Sequence, residues 1–233
     1  DIRRLGNVPE ITINRGEINQ TTFKSYISTA QEPGCMRMLK GAELAQFYVR
    51  NQPSQGHRQW FASVRFIKDS TPKPIVNQRR IAIQRITGVD EKLRLVATII
   101  EPPAYFADST NSITIDTDCP YSLEYVCALL NSSLMQWRFK LTSTNNNVST
   151  NELKGLPFRA LNLAVPQHKT QHETITQTVT SLMKAAAVHE ATPNHEDRLA
   201  AARLVDRHQA RLRSLVHALY GMGTQFEGGG EAY

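Results

Sequence analysis

Three cysteines in 233 residues, Cys35, Cys119 and Cys127, form no CxxC pair, and their odd number argues against a disulfide framework. A reducing cytosol is therefore the expected compartment. No apolar run approaches the ~20 residues a membrane-spanning helix needs, and residues 1–10 (DIRRLGNVPE) hold no signal-peptide apolar core. The chain does not begin with Met, so it is expected to be a piece of a longer polypeptide whose other part holds the chemistry. No Ser/His/Asp, Cys/His or metal-ligand constellation can be assembled, which excludes a self-sufficient hydrolase. His168 and His172 stand four apart, but Glu173 follows the second, so the HExxH order of zinc enzymes is absent and a solvated helix start is expected there. Aromatic content of 7% speaks against a stacking platform for single strands.

What is present is basic charge, unevenly spread. Residues 1–100 carry 16 Lys+Arg against 8 Asp+Glu, whereas residues 101–233 carry 11 against 13. An anionic partner is expected on the first half, and nucleic acid is the commonest anion that rewards spread arginines.

The most informative run spans residues 121–157. Leu123, Val126, Cys127, Leu130, Leu134, Trp137 and Leu141 recur at steps of three and four and are expected to share one helical face. Ser122 is placed to cap that helix and Glu124 to meet its dipole, while Asn131-Ser132-Ser133 should break or kink it. Residues 143–150 follow as a polar loop containing Asn145, Asn146 and Asn147, with Arg138, Lys140 and Lys154 on either side. Cations hold phosphates while Asn offers a donor and an acceptor to base edges. The alternative is an ordinary surface turn, for which Asn is common material.

Alternation predicts a strand over residues 8–13, a hairpin partner at residues 23–27, and further strands over residues 35–41 and 59–67. A short helix is expected at residues 42–49 and an edge or loop around Pro72 and Pro74. In residues 79–87 (RRIAIQRIT), Arg79, Ile81, Ile83, Arg85 and Thr87 share one face and Arg80, Ala82, Gln84 and Ile86 the other. Gly88-Val89-Asp90 should turn the chain so that residues 93–100 return antiparallel. Arg79, Gln84 and Arg85 are candidate base readers, because Arg can donate twice to guanine and Gln can pair with adenine; Arg80 joins them as a DNA contact. Residues 111–115 (NSITI) form the last predicted strand.

Beyond Pro157 the apolar stripe Ile175, Val179, Leu182, Met183 and Ala186 predicts one helix. A second is expected from Asn194 through Val205, Leu212, Leu215, Val216 and Leu219, with Thr192-Pro193 as the bend. Narrow stripes on two long helices predict an antiparallel pair, which could also join subunits into an oligomer. The fold class is α+β: a mostly antiparallel curved sheet with a central helix, then a C-terminal antiparallel helical hairpin. Residues 1–160 are expected to form the recognition domain, residues 161–222 the hairpin, and residues 223–233 a disordered tail.

The order YSLEYxxALLNSxLxxWxFK followed by SxNNxVxTxELKxLP resembles the C-terminal target-recognition domain of TaqI-like adenine-N6 DNA methyltransferases of restriction–modification systems. RGEIN at residues 15–19, residues 80–100 and LVHALYGM at residues 215–222 carry the same resemblance. It places a strand and turn at MLKGAEL, which makes Lys40 a candidate phosphate contact. It implies double-stranded DNA as partner and a covalently linked upstream methyltransferase domain using S-adenosylmethionine, with no cofactor in this chain. Glu101-Pro102-Pro103-Ala104-Tyr105 departs from the Asn/Asp-Pro-Pro-Tyr/Phe catalytic motif, since Glu replaces the amide and Ala displaces the aromatic; it is read as a loop. A different class remains open: an assembly protein whose helical hairpin joins subunits and whose basic half binds nucleic acid without sequence preference.

Overall fold

The computed structural model describes residues 1–69, 74–87 and 92–222; the turn expected at residues 88–90 and the tail expected at residues 223–233 lie outside them. In chain order the strands are β1 (Ile2–Arg4), β2 (Ile11–Arg15), β3 (Ile27–Ser28), β4 (Met36–Leu39), β5 (Leu44–Ala45), β6 (Tyr48–Val49), β7 (Gln59–Phe61), β8 (Arg80–Gln84), β9 (Ala97–Ile100), β10 (Tyr105–Phe106), β11 (Thr110–Ile115) and β12 (Pro157–Arg159). The α-helices are α1 (Ser63–Asp69), α2 (Leu123–Asn131), α3 (Ser133–Lys140), α4 (Thr150–Lys154), α5 (Pro166–Ala191) and α6 (His195–Leu219).

An antiparallel sheet in the order β2-β11-β8-β9 forms the platform. Its inner face, with Ile13, Ile81, Ile83, Ala97 and Ile113, packs on α2 in the main core. Ala82, Ile100 and Phe106 build a smaller cluster on the other side. A second sheet, β10-β4-β7-β3, closes around Phe61, Tyr105 and Met38; its β10-β4 pair is parallel, so the fold is antiparallel in the main.

Ser122 caps α2 by accepting from Tyr125 N at 3.1 Å. Ser132 ends that helix with an extended backbone (φ −67, ψ 149) and caps α3, accepting from Met135 N at 3.2 Å. The break resets the helical phase. Met135 and Phe139 turn inward in α3, whereas Trp137 and Leu141 are 59% and 64% exposed, contrary to the single apolar face read from the sequence.

Other expectations also yield to non-local contacts. The partner of β2 is β11, with Ile13 opposite Ile113, while the 3-10 turn Lys24–Tyr26 leads into β3 beside β7. The helix expected at residues 42–49 is the β5-β6 hairpin after a 3-10 turn, Gly41–Glu43, because Phe47 (φ 72) donates its N–H to Ala97 O of β9 at 3.0 Å. After β7 the chain coils into α1, which lets Phe66 meet Phe61 at 5.0 Å while Val64 and Ile67 stay exposed. His172 is buried rather than solvated and accepts the Ser122 N–H at 3.1 Å, tying α5 to the start of α2. Ile175, Val179 and Leu182 of α5 and Leu212 and Val216 of α6 complete the core that α2 shares with the sheet. Asn194 caps α6, accepting from Glu196 N at 2.9 Å.

Candidate nucleic-acid interface

β8 delivers Gln84 and Arg85 to one end of the platform. The Asn-rich loop is zipped onto that end: Val148 N donates to Arg85 O at 2.7 Å, Thr87 N donates to Asn146 O at 3.1 Å, and Ile86 and Asn147 form an antiparallel bridge. An ordinary surface turn has few such ties. Here Val148 is fully buried beneath the loop, and Asn111 Nδ2 of β11 donates to its carbonyl at 2.7 Å. Ser149 and Glu152 form a reciprocal cap at the start of α4, with Ser149 N to Glu152 Oε2 at 2.8 Å and Glu152 N to Ser149 Oγ at 3.2 Å. The loop backbone is thus fixed while Asn145, Asn146 and Asn147 stay exposed.

A buried cation holds the other side of the loop. Arg94, 1% exposed, donates to Asn145 O and to Thr87 Oγ1 (3.2 Å) and lies 5.3 Å from the Phe139 ring centre. Among the described residues it has no carboxylate within ion-pair distance. A buried charge is costly, so this loop geometry is held against a real penalty.

Two further segments close on the same edge. Arg85 N donates to Ser109 O at 3.0 Å, and Gly41 N donates to Ser109 Oγ at 3.1 Å. A Cβ at Gly41 would sit 2.6 Å from Ser109 O and 3.3 Å from Gln84 Cγ, so only glycine lets the Lys40-Gly41 turn approach this closely. Gly16 is as constrained, for a Cβ there would lie 2.0 Å from Ala107 O. Just before it, Arg15 donates to Asp108 Oδ2 at 2.9 Å and to Asp108 O at 3.2 Å. The Arg85 guanidinium reaches the same Asp108 carbonyl at 3.5 Å. Its pKa is drawn below the ordinary arginine value by burial and then by Arg15, with Asp108 acting the other way. Two guanidiniums around one carboxylate leave a net positive rim beside the Asn loop. Ile86 lies between them and the loop, 52% exposed.

Gln84, Arg85, Asn145, Asn146 and Asn147 therefore come together, with the Lys40-Gly41 turn beside Gln84. Lys40 is half-buried and donates to His57 O; Gln84 donates to Ile86 O at 2.8 Å. Lys140 is exposed at the end of α3, just before the loop, and Lys154 is exposed at the end of α4 with its stem against Gly6.

Arg79 and Arg80 do not join this set. Arg79 lies five residues from Gln84, roughly 16 Å along a strand, and its guanidinium is paired with Glu101 and Glu124 at 2.7 Å each. Arg80 is 1% exposed. It makes a two-pronged pair with Glu17 (2.7 and 3.1 Å), donates to Ala104 O at 2.7 Å and lies 3.7 Å from the Phe106 ring centre. No part of that side chain is open to a ligand. The apolar-and-basic alternation of β8 thus has a different cause at each end: internal ion pairs at the first residues, an open cationic edge at the last.

Sequence reasoning missed Arg15, Asp108, Arg94 and Asn111. Arg15 and Glu17 both lie in RGEIN, the one signal that could have singled them out. Glu101 is engaged by Arg79 and Tyr105 is buried against Phe61 at 4.7 Å, so this stretch leaves no open aromatic face for chemistry on a base. Among the described residues no group of three His, Cys, Asp or Glu side chains could hold a metal ion, and no helix is long and apolar enough to cross a membrane.

Residues 36–158 match the family described as the TaqI-like C-terminal specificity domain. No curated protein matches the chain. Among solved structures it is similar to the type IIL restriction–modification enzyme MmeI, determined in complex with DNA, with a TM-score of 0.60 and 12% identity over 91% of this chain and 33% of that one. A structure of a type I restriction–modification system assembly aligns with a TM-score of 0.47 and 13% identity over 92% of this chain and 45% of that one. The chain thus spans about a third of MmeI, and the likeness to it is one of fold.

Proposed function

Because this chain belongs to the TaqI-like C-terminal specificity domain family, we propose that it is the DNA sequence-recognition module of a restriction–modification enzyme. The observation that carries the reading is the convergence of Gln84, Arg85 and the locked Asn145–147 loop on one edge, with Arg15 and Lys40 beside them. Arg85 and the Asn amides read base edges in a duplex groove, Ile86 offers an apolar contact to a thymine methyl, and Lys40, Lys140 and Lys154 hold phosphates. A loop fixed before binding loses little conformational freedom when it docks.

On this reading the chain supplies orientation and selectivity, and the bond chemistry belongs to a covalently linked domain. That domain rotates an adenine out of the duplex and methylates its N6 with S-adenosylmethionine as methyl donor. The whole enzyme works in the cytoplasm.

The test is a competition at fixed salt between a duplex selected by the protein from a randomised pool and scrambled duplex. Selected duplex should win by at least a factor of about 10³. Equal competition would leave only non-specific polyanion binding.

A further inference from the structure

α6 turns Ala201, Leu212, Val216 and Leu219 inward, and at the helical period of 3.6 Arg203, Arg207 and Arg211 follow one another down the solvent-facing side, from the face opposite the core towards its flank. All three are exposed, and among the described residues none has a carboxylate within ion-pair distance. Some exposed arginines elsewhere do have such partners, as Arg3 meets Asp1, Arg15 meets Asp108 and Arg79 meets Glu101, while Arg4, Arg58 and Arg65 share the lack of one among the described residues; what marks α6 is the spacing of three on one helix. Of the three acids of the helix one, the exposed Asp206, stands within the row, beyond ion-pair distance of its arginines. Glu196 and Asp197 lie in the first turn, where they complement the dipole, and from Arg207 to Leu219 there is no acidic residue at all.

Like charges at i, i+4 destabilise a helix, and this row contains two such steps in succession. Solubility alone is served as well by mixed signs. The row also stands in a half of the chain whose overall charge is slightly negative, so it is a local concentration and not a share of a general basic excess.

We propose that the outward face of α6 is a second, sequence-independent contact for duplex DNA, in which Arg203, Arg207 and Arg211 hold backbone phosphates outside the segment being read. The inference rests on the DNA-recognition reading for its choice of polyanion. Four helical residues rise roughly 6 Å, close to the distance that two nucleotides of one strand, at about 3.4 Å each, advance along the duplex axis. A second copy of the chain is a poor occupant, since it would bring the same cationic row against itself. Engaged with phosphates alone, the three arginines add affinity and register without adding sequence preference.

The experiment is a salt titration of binding by the full chain, using a fluorescein-labelled duplex selected from a random pool and a scrambled duplex of equal length. The triple variant Arg203→Gln/Arg207→Gln/Arg211→Gln should lower the slope of log affinity against log salt by about two to three units. Both duplexes should weaken by the same factor, and the Lys triple should restore the slope. An unchanged slope with native circular dichroism overturns the proposal, as does a loss confined to the selected duplex. Should the Gln triple fold poorly, the Ala triple, with its higher helix propensity, decides by the same criteria. If polyglutamate loses its ability to compete against the triple variant while the DNA slope stands, the face serves an acidic protein and the proposal fails. Failure of the recognition reading looks different: selected and scrambled duplex would then bind wild type alike, whatever α6 does.

Discussion

Replacing Arg80 should damage the fold and spare the DNA contacts, although the sequence places it in a strand of DNA-facing arginines. In the structure its side chain is 1% exposed and that of Glu17 4%. Arg80→Met would leave the Glu17 carboxylate buried, with the Phe106 N–H (2.8 Å) as a remaining donor. Breaking one partner out of a buried ion pair costs about 3–5 kcal/mol, because the other charge is stranded. For a chain of this length that corresponds to a fall in Tm of roughly 6–20 °C, at about 2–4 °C per kcal/mol. The double change Arg80→Met/Glu17→Gln removes both charges and should recover most of the loss. Urea and thermal unfolding of wild type, both single variants and the double give the coupling directly. Binding measured well below the lowered Tm should keep its salt dependence. An Arg80→Met protein with unchanged Tm and a shallower salt slope would refute the reasoning, for it would make Arg80 a phosphate contact after all.

Arg94→Met should free the Asn145 carbonyl and Thr87, so hydrogen exchange at the Thr87 and Val148 amides should speed up; unchanged exchange would show that the loop holds without its buried cation. Ser149→Ala removes the side-chain cap of α4 and should lower stability by about 1 kcal/mol in urea unfolding, with most of the loosening in residues 143–149. The His172 imidazole is held below its ordinary pKa of 6.5 by burial, against the opposing pull of Glu173 and Glu124, and it packs on the rings of Tyr121 and Tyr125. As pH falls through 6.5 the unfolded chain takes up its proton first, so the stabilisation present above that pH is lost as pH drops towards and through the folded value. Tm should therefore fall less between pH 7 and pH 5 in His172→Gln, which keeps an acceptor for the Ser122 N–H, than in wild type; equal falls would remove His172 from the account.

Local signals were legible and partners were not. Ser122 as a cap, the break at residues 131–133, the strands β8 and β11 and the α5-α6 pair all follow from short-range chemistry that a sequence displays. Alternation marks a strand but does not name its neighbour, so β2 was matched to residues 23–27 when its partner lies about a hundred residues away in β11. Arginine is usually a surface residue, which is why Arg80 reads as a free cation and why nothing in the sequence singles out Arg94. Burial of the first depends on Glu17, 63 positions away, and burial of the second on Phe139 and the Asn145 carbonyl. The Asn loop was recognisable as exposed and polar. Its rigidity was not, because Asn111 and Arg94 reach it from separate segments.

The central claim is directional: the end of the platform bearing Gln84, Arg85 and the Asn loop faces the duplex, and the end bearing Arg79 and Glu101 does not. Site-specific photocrosslinking tests it directly, with p-benzoylphenylalanine placed at Asn146 in one protein and at Glu101 in another, each irradiated with the selected duplex. The expected result is a DNA adduct from position 146 and none from position 101. Adducts from position 101 with none from position 146 would contradict the account.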